Sequence, residues 1–179
     1  MNDPLAALRS ALDDECGAGP RVAAMATVDH EGTPRVRSVV CRRIGPASIW
    51  VASDARSAKN RQVRAVPAVE LAFWLPRRRE QFRVAGVVAI AGQEDRLAAW
   101  AELSDAARAL FFWSEPGRAR EDSADACSAG VPADQPAPVA FELLALAVGQ
   151  VEHLELSPHP HRRRRWRAET GWEVEDLNP

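Results

Sequence analysis

The segment SDARSAKN, Ser53 to Asn60, gathers Ser53, Arg56, Ser57 and Lys59 directly after the apolar run SIWVAS. Two small hydroxyls and two cations at one point suit an oxyanion. A partly desolvated phosphate dianion needs two or more positive partners, and Arg grips it bidentately while Lys adds a point charge. A strand ending at Ser53 and a helix starting near Ser57 would add unpaired backbone N–H groups at the same place. More cations precede it, at Arg35, Arg37, Arg42 and Arg43. The same composition describes an ordinary helix N-cap followed by a solvated basic face, and residue chemistry alone leaves the two readings level. The segment also interrupts an apolar run without Gly or Pro, the usual turn formers, which leaves open what turns the chain.

Other chemistries find less support. There is no Ser-His-Asp order, Walker loop, HExxH motif or close carboxylate pair, which argues against hydrolase, NTPase and metalloprotease activity. Any redox or transfer chemistry would belong to a cofactor that the protein positions. His159 and His161 resemble a metal pair, but no third ligand stands at useful spacing, so no metal is expected. The three cysteines, Cys16, Cys41 and Cys127, form no CxxC pair and read as free thiols in a reducing cytoplasm, with Cys41 packed inside a β-branched strand. The arginines of RRRRWR, Arg162 to Arg167, split between two strand faces, and the acidic EVED segment can pair with several of them. With a net charge of -2 and a pI near 6.1, no nucleic-acid partner is expected. The acidic N-terminus does not resemble a secretory signal, and no apolar run reaches the roughly 18 residues of a membrane span, so a cytoplasmic protein without membrane contact is expected.

Asn2 or Asp3 with Pro4 predicts an opening helix with Leu5, Leu8 and Leu12 on one face. RVAAMATV and RVRSVVCRRIG, joined by the turn-rich DHEGTP, and then SIWVAS predict three strands in an antiparallel meander. A short helix is expected from about Ser57 to Arg64. VELAFWLP and QFRVAGVVAIAG predict two more strands around the RRRE hairpin. Gln93 to about Trp113 reads as a helix pair with a new cap at Ser104 or Asp105. Residues 114–138 read as a flexible loop, and residues 139–179 as C-terminal strands with a hairpin turning at ETG. The expected fold is mainly β, a closed or partly closed β-barrel with flanking helices in one domain spanning residues 1–179.

The order RVRSVVCRR, WVASDARSAKN, ELAFWLPRRREQFRVAGVV resembles the pyridoxamine 5'-phosphate oxidase-like family of FMN-binding split barrels, which are Greek-key-like. LSDAARALFFWSEPG and the ending GWEVEDLNP extend the resemblance toward the Alr4036-type branch. The resemblance implies FMN as cofactor, with Arg37 and Arg42 bracketing a strand whose Ser38, Val39 and Val40 backbone runs beside the flavin. It also implies Ser53 at the strand end, Arg56, Ser57 and Lys59 around the phosphate, Gln81 on the flavin ring and Arg162 as a C-terminal flavin contact. The six tryptophans read mostly as core or dimer-interface anchors, with Trp113 and Trp166 the ones best suited to the alternative of stacking on the ring. A homodimer sharing FMN at its interface follows from the same resemblance, and with it an FMN-dependent oxidoreductase of unassigned substrate. The alternative is a non-catalytic module holding flavin, heme or a phosphorylated ligand. The family's Arg between Ser and Lys is Ala58 here, which leaves Arg56 to compensate. Pro158 and Pro160 stand where the true oxidase has its substrate-binding Arg and His, so little vitamin B6 turnover is expected.

Overall fold

Asp3 begins the first helix as its type requires, accepting the N–H groups of Leu5 and Ala6 at 3.0 Å each, with Pro4 in the first turn. This helix, α1 (Pro4–Cys16), buries Leu5, Leu8 and Leu12 against the main core. Each such leucine contributes about 1.5–3 kcal/mol of apolar burial. The computed structural model describes residues 3–119, 130–132, 134–157 and 159–179; Cys127 and Pro158 lie outside them.

Strands β1 (Arg21–Val28), β2 (Pro34–Ile44) and β3 (Ser48–Asp54) pair in sequence as an antiparallel meander. Helix α2 (Ala58–Ala65) then carries the chain across, and β4 (Ala68–Leu75) lies beside β1 rather than β3, the Greek-key order. Strand β5 (Glu80–Ile90) returns along β4, followed by α3 (Gln93–Ala101) and α4 (Asp105–Ala109), which Ser104 caps. FELLALAVGQVEHLE forms one strand of 15 residues, β6 (Phe141–Glu155). Its length lets it serve three neighbours. The first half pairs with β3 and closes a six-stranded antiparallel barrel, while β5 flanks most of its length. The second half carries β7 (Arg162–Arg167), which pairs with β8 (Val174–Leu177) beyond a 3-10 turn at Ala168–Thr170. Among the described residues no helix is long and apolar enough to cross a membrane.

Inward residues alternate along the strands, with Met25, Leu71, Phe73, Phe82, Val84, Ile49 and Val151 filling the barrel. A smaller cluster of Trp100, Leu103 and Phe141 seats α3 and α4. The β5–β6 register shifts between Ala85 and Gly86, and there a Cβ on Gly86 would stand 2.0 Å from the backbone oxygen of Ala147. Backbone on both sides has no slack. Gly86→Ala is therefore expected to cost about 2–3 kcal/mol, read as a lower midpoint in thermal or urea unfolding. An unchanged midpoint would show that the bulge can open without cost.

Candidate functional site at the strand-to-helix turn

Asp54 is the device that turns the chain without Gly or Pro. Its carboxylate accepts the backbone N–H of Arg56 at 2.8 Å, an Asx-type turn, and its carbonyl accepts Ser57 N–H at 3.0 Å and Ser57 Oγ at 2.7 Å. The same carboxylate grips the Arg56 guanidinium in parallel, at 3.0 Å from Nε and 2.6 Å from Nη2. Fully buried Asn60 locks the turn from behind. Its Oδ1 accepts the hydroxyls of Ser53 and Ser57, and its Nδ2 donates to Glu142 Oε2 at 2.6 Å. Ser57 is the N-cap of α2, so the helix starts one residue later than the sequence suggests.

Two cations meet in front of this turn. Lys59 Nζ donates to Ser57 Oγ at 3.0 Å. Arg37, on the inward side of β2, donates to the Met25 carbonyl at 3.1 Å, Thr27 Oγ1 at 2.6 Å and Gln62 Oε1 at 2.7 Å. All of these acceptors are neutral. Burial pushes the Lys59 ammonium below its ordinary value, nearby Asp54 opposes the shift, and repulsion from Arg37 adds to it. Burial also lowers the Arg37 guanidinium. Beside Arg37 an open groove of about 650 Å³ runs past Ala58, Arg61 and Gln62 to Arg35, whose partner Asp29 it holds below the usual carboxylate range. Desolvated cations without a carboxylate, beside an open groove, are half of an ion pair. A phosphate monoester supplies the other half, so the residues present fit the phosphate end of FMN.

The other expected positions divide by strand face. Ser38 sits on the outer face, directly opposite Ala24, which pairs in turn with Ala72 and then Arg83. Val39 is buried inward and Val40 half-buried outward on the same strand. Gln81 shares that outer face, between Trp74 and Leu154. Arg42 lies at the β2 bulge in a small cleft with Trp50 and Asp95 under α3, away from the turn, and burial lowers its guanidinium. Arg162 opens β7 opposite Glu155 and lines a groove beside α1 with Asp3, His153 and Arg164. Its neighbour Arg163 is the one opposite Leu154, in line with Gln81, and it donates to Glu152 at 2.7 Å. Trp166 belongs to the core, whereas Trp113 is exposed. The Cys41 thiol is buried and pushed up to about 12, as a packed rather than a nucleophilic cysteine would be.

Several contributors carry no sequence signal of their own. Thr27 and Gln62 orient Arg37, and Asn60 with Glu142 orients Ser53 and Ser57, through contacts that join distant segments. Fold also brings Glu80, His153 and Glu155 together, a trio that sequence spacing hides. Glu80 accepts from Arg78 and Glu155 from Arg164, so their charges are neutralised, and His153, stacked on Phe82, is held below its usual value by burial. The Arg-rich β7 is likewise engaged, Arg165 and Arg167 both reaching Glu175 as the acidic tail segment suggests.

The closed six-stranded Greek-key barrel with flanking helices defines the split-barrel class, and a desolvated cation pair stands at its strand-to-helix turn. Residues 5–92 match the family model described as pyridoxamine 5'-phosphate oxidase, FMN-binding domain. The chain is 33% identical to a pyridoxamine 5'-phosphate oxidase-related, FMN binding protein from Nostoc punctiforme, covering 100% of this chain and 99% of that one with a TM-score of 0.90. It belongs to this family of FMN-binding proteins. A pyridoxine/pyridoxamine 5'-phosphate oxidase from Anaeromyxobacter dehalogenans is 32% identical over 121 residues, 66% of this chain and 55% of that protein. The match spans about half the length of such curated relatives, 53% of the corresponding Microcystis aeruginosa oxidase. The structure of PhzG from Burkholderia lata, solved with tetrahydrophenazine-1-carboxylic acid, shares the fold at a TM-score of 0.86 and 19% identity, over 100% of this chain and 94% of that one.

Proposed function

We propose that this chain binds FMN, with Arg37, Ser57 and Lys59 around the phosphate, and works as an FMN-dependent oxidoreductase. The observation that carries the reading is the pair of desolvated cations, Arg37 and Lys59, whose acceptors among the described residues are all neutral. Bound FMN would supply hydride and electron transfer. The protein's part is to hold the phosphate at the turn and to present the outer face, with Ser38, Val40 and Gln81, toward the ring. Arg56 adds little net charge because Asp54 already neutralises it.

That outer face supports a homodimer. Val22, Val36, Trp74 and Val87 stand 46%, 72%, 53% and 55% exposed on it, among the small residues Ala24, Ala26 and Ala72. Antiparallel sheets facing water carry polar residues there, so this face suits a second copy of the chain. Among the described residues Cys16 and Cys41 form no disulfide, which fits a reducing, cytoplasmic setting. Pro160 stands at an expected substrate-binding position and favours a substrate other than a vitamin B6 phosphate.

Titrating the purified protein into FMN and into riboflavin, with flavin fluorescence as readout, tests the reading. FMN is expected to bind at least tenfold tighter than riboflavin, and the yellow complex to bleach with reductant and recover with a quinone or nitro acceptor. Equal affinity for the two flavins would remove the phosphate site, and a complex that never reoxidises would leave a binding module.

A further inference from the structure

The family resemblance implies an Arg between Ser57 and Lys59 as a further phosphate cation, and this chain has Ala58 there. Sequence reasoning passes that duty to Arg56. Geometry argues against it: Asp54 occupies Nε and Nη2 of Arg56 and raises its guanidinium above the ordinary value, so the pair offers an incoming anion little net charge.

Arg61 stands differently. It lies three residues after Ala58 on α2, hence on the same helix face, and lines the same groove as Arg37, Ala58 and Gln62. Its side chain is 62% exposed and its carboxylate partner, Glu115, is 3.6 Å away. Among the described residues its side chain makes one hydrogen bond, a donation from Nη1 to the Arg56 carbonyl at 2.5 Å, which leaves other guanidinium donors to turn into the groove. The methyl group of Ala58 leaves open the volume that a longer side chain would fill.

We infer that Arg61 takes the place of the missing cation, so that the phosphate is held by Arg37, Lys59 and Arg61, the last reaching it across Ala58. This rests on the FMN reading above. A phosphate monoester carries about -1.5 to -2 charges at pH 7, and an exposed Arg on a helix face pays less desolvation on reaching it than a buried one.

Flavin fluorescence titrations of the parent chain and four variants decide the matter. Arg61→Ala is expected to weaken FMN at least tenfold and to leave riboflavin unchanged. Adding Ala58→Arg to Arg61→Ala is expected to restore FMN affinity, since it returns a guanidinium to the same face. Glu115→Gln is expected to keep or tighten FMN binding by releasing Arg61. The inference is overturned if Arg61→Ala binds FMN like the parent chain, or if Glu115→Gln weakens FMN as much as Arg61→Ala does, which would make Arg61 a tether for the segment carrying Glu115. A parent chain that does not prefer FMN over riboflavin would instead remove the phosphate reading itself. Arg61→Gln, of similar length without charge, separates loss of charge from loss of packing and is expected to behave like Arg61→Ala.

Discussion

Lys59→Met is expected to weaken FMN binding by about 10- to 100-fold, to leave riboflavin binding unchanged, and to make the flavin-free protein more stable. The first effect follows from the loss of one charge-assisted contact, worth roughly 1.5–3 kcal/mol. The third has the opposite sign for a physical reason. Burial disfavours the Lys59 ammonium in the fold, Asp54 offsets only part of this and Arg37 repels it, and among the described residues its hydrogen-bond acceptor is a neutral hydroxyl. Met keeps the apolar stem and removes that cost, so the thermal midpoint without flavin rises as flavin affinity falls. A lysine kept for structure alone would show a falling midpoint.

The pH dependence carries the same sign. With its native value below the ordinary 10.5, the folded protein releases the Lys59 proton earlier than the unfolded chain does. Unfolded protein then binds more protons, and stability without flavin rises with pH through the native value toward 10.5. Lys59 is the single lysine of the chain and tyrosine is absent, so the difference between parent and Lys59→Met isolates this group. Reductive ¹³C-methylation gives one side-chain amine resonance for the same reason. Its titration midpoint is expected below 10.5 without flavin and higher with FMN, whose phosphate favours the charged form. An unshifted midpoint in both states would remove Lys59 from the phosphate site.

Local chemistry made much of this legible in the sequence. The Asp3–Pro4 cap, the alternating strands and the Ser104 cap are all decided within a few residues of themselves, and each stands where its residues require. The turn at Ser53–Asn60 is visible in the sequence as a break, and Lys59, Ser57 and Arg37 as candidate anion ligands. What the sequence could not convey was pairing. Asp54 looks like one more polar turn residue, yet it both builds the turn and pairs with the Arg56 guanidinium. Gln62, Thr27 and Glu142 act through contacts 10 to 82 residues apart, which no local pattern encodes. Arg162 and Arg163 differ by a single position, and in a strand that step selects the opposite face. The β6–β7 register puts Arg163 in line with Gln81 and Arg162 opposite Glu155.

Ala24→Arg is expected to convert a dimer to monomers and to weaken both flavins together. Ala24 lies on the outer face between Ser38 and Ala72, beside the small residue Ala26. Its Cβ points away from the barrel, so the substitution leaves the core untouched, and the isolated subunit keeps its fold. In a two-fold dimer the new charge appears twice, facing the same apolar patch from both sides. Burying it there costs several kcal/mol, so the dissociation constant is expected to rise at least 100-fold, read by sedimentation equilibrium or light scattering. The flavin readout then separates the two halves of the site. On the proposed dimer, Lys59→Met is expected to act on the phosphate alone and spare riboflavin, whereas Ala24→Arg is expected to remove the second subunit's share of the ring pocket and so weaken riboflavin and FMN by similar factors. A parent chain that is monomeric at micromolar concentration would sink the dimer. A monomeric Ala24→Arg protein with unchanged flavin affinity would instead place the whole flavin site within one subunit.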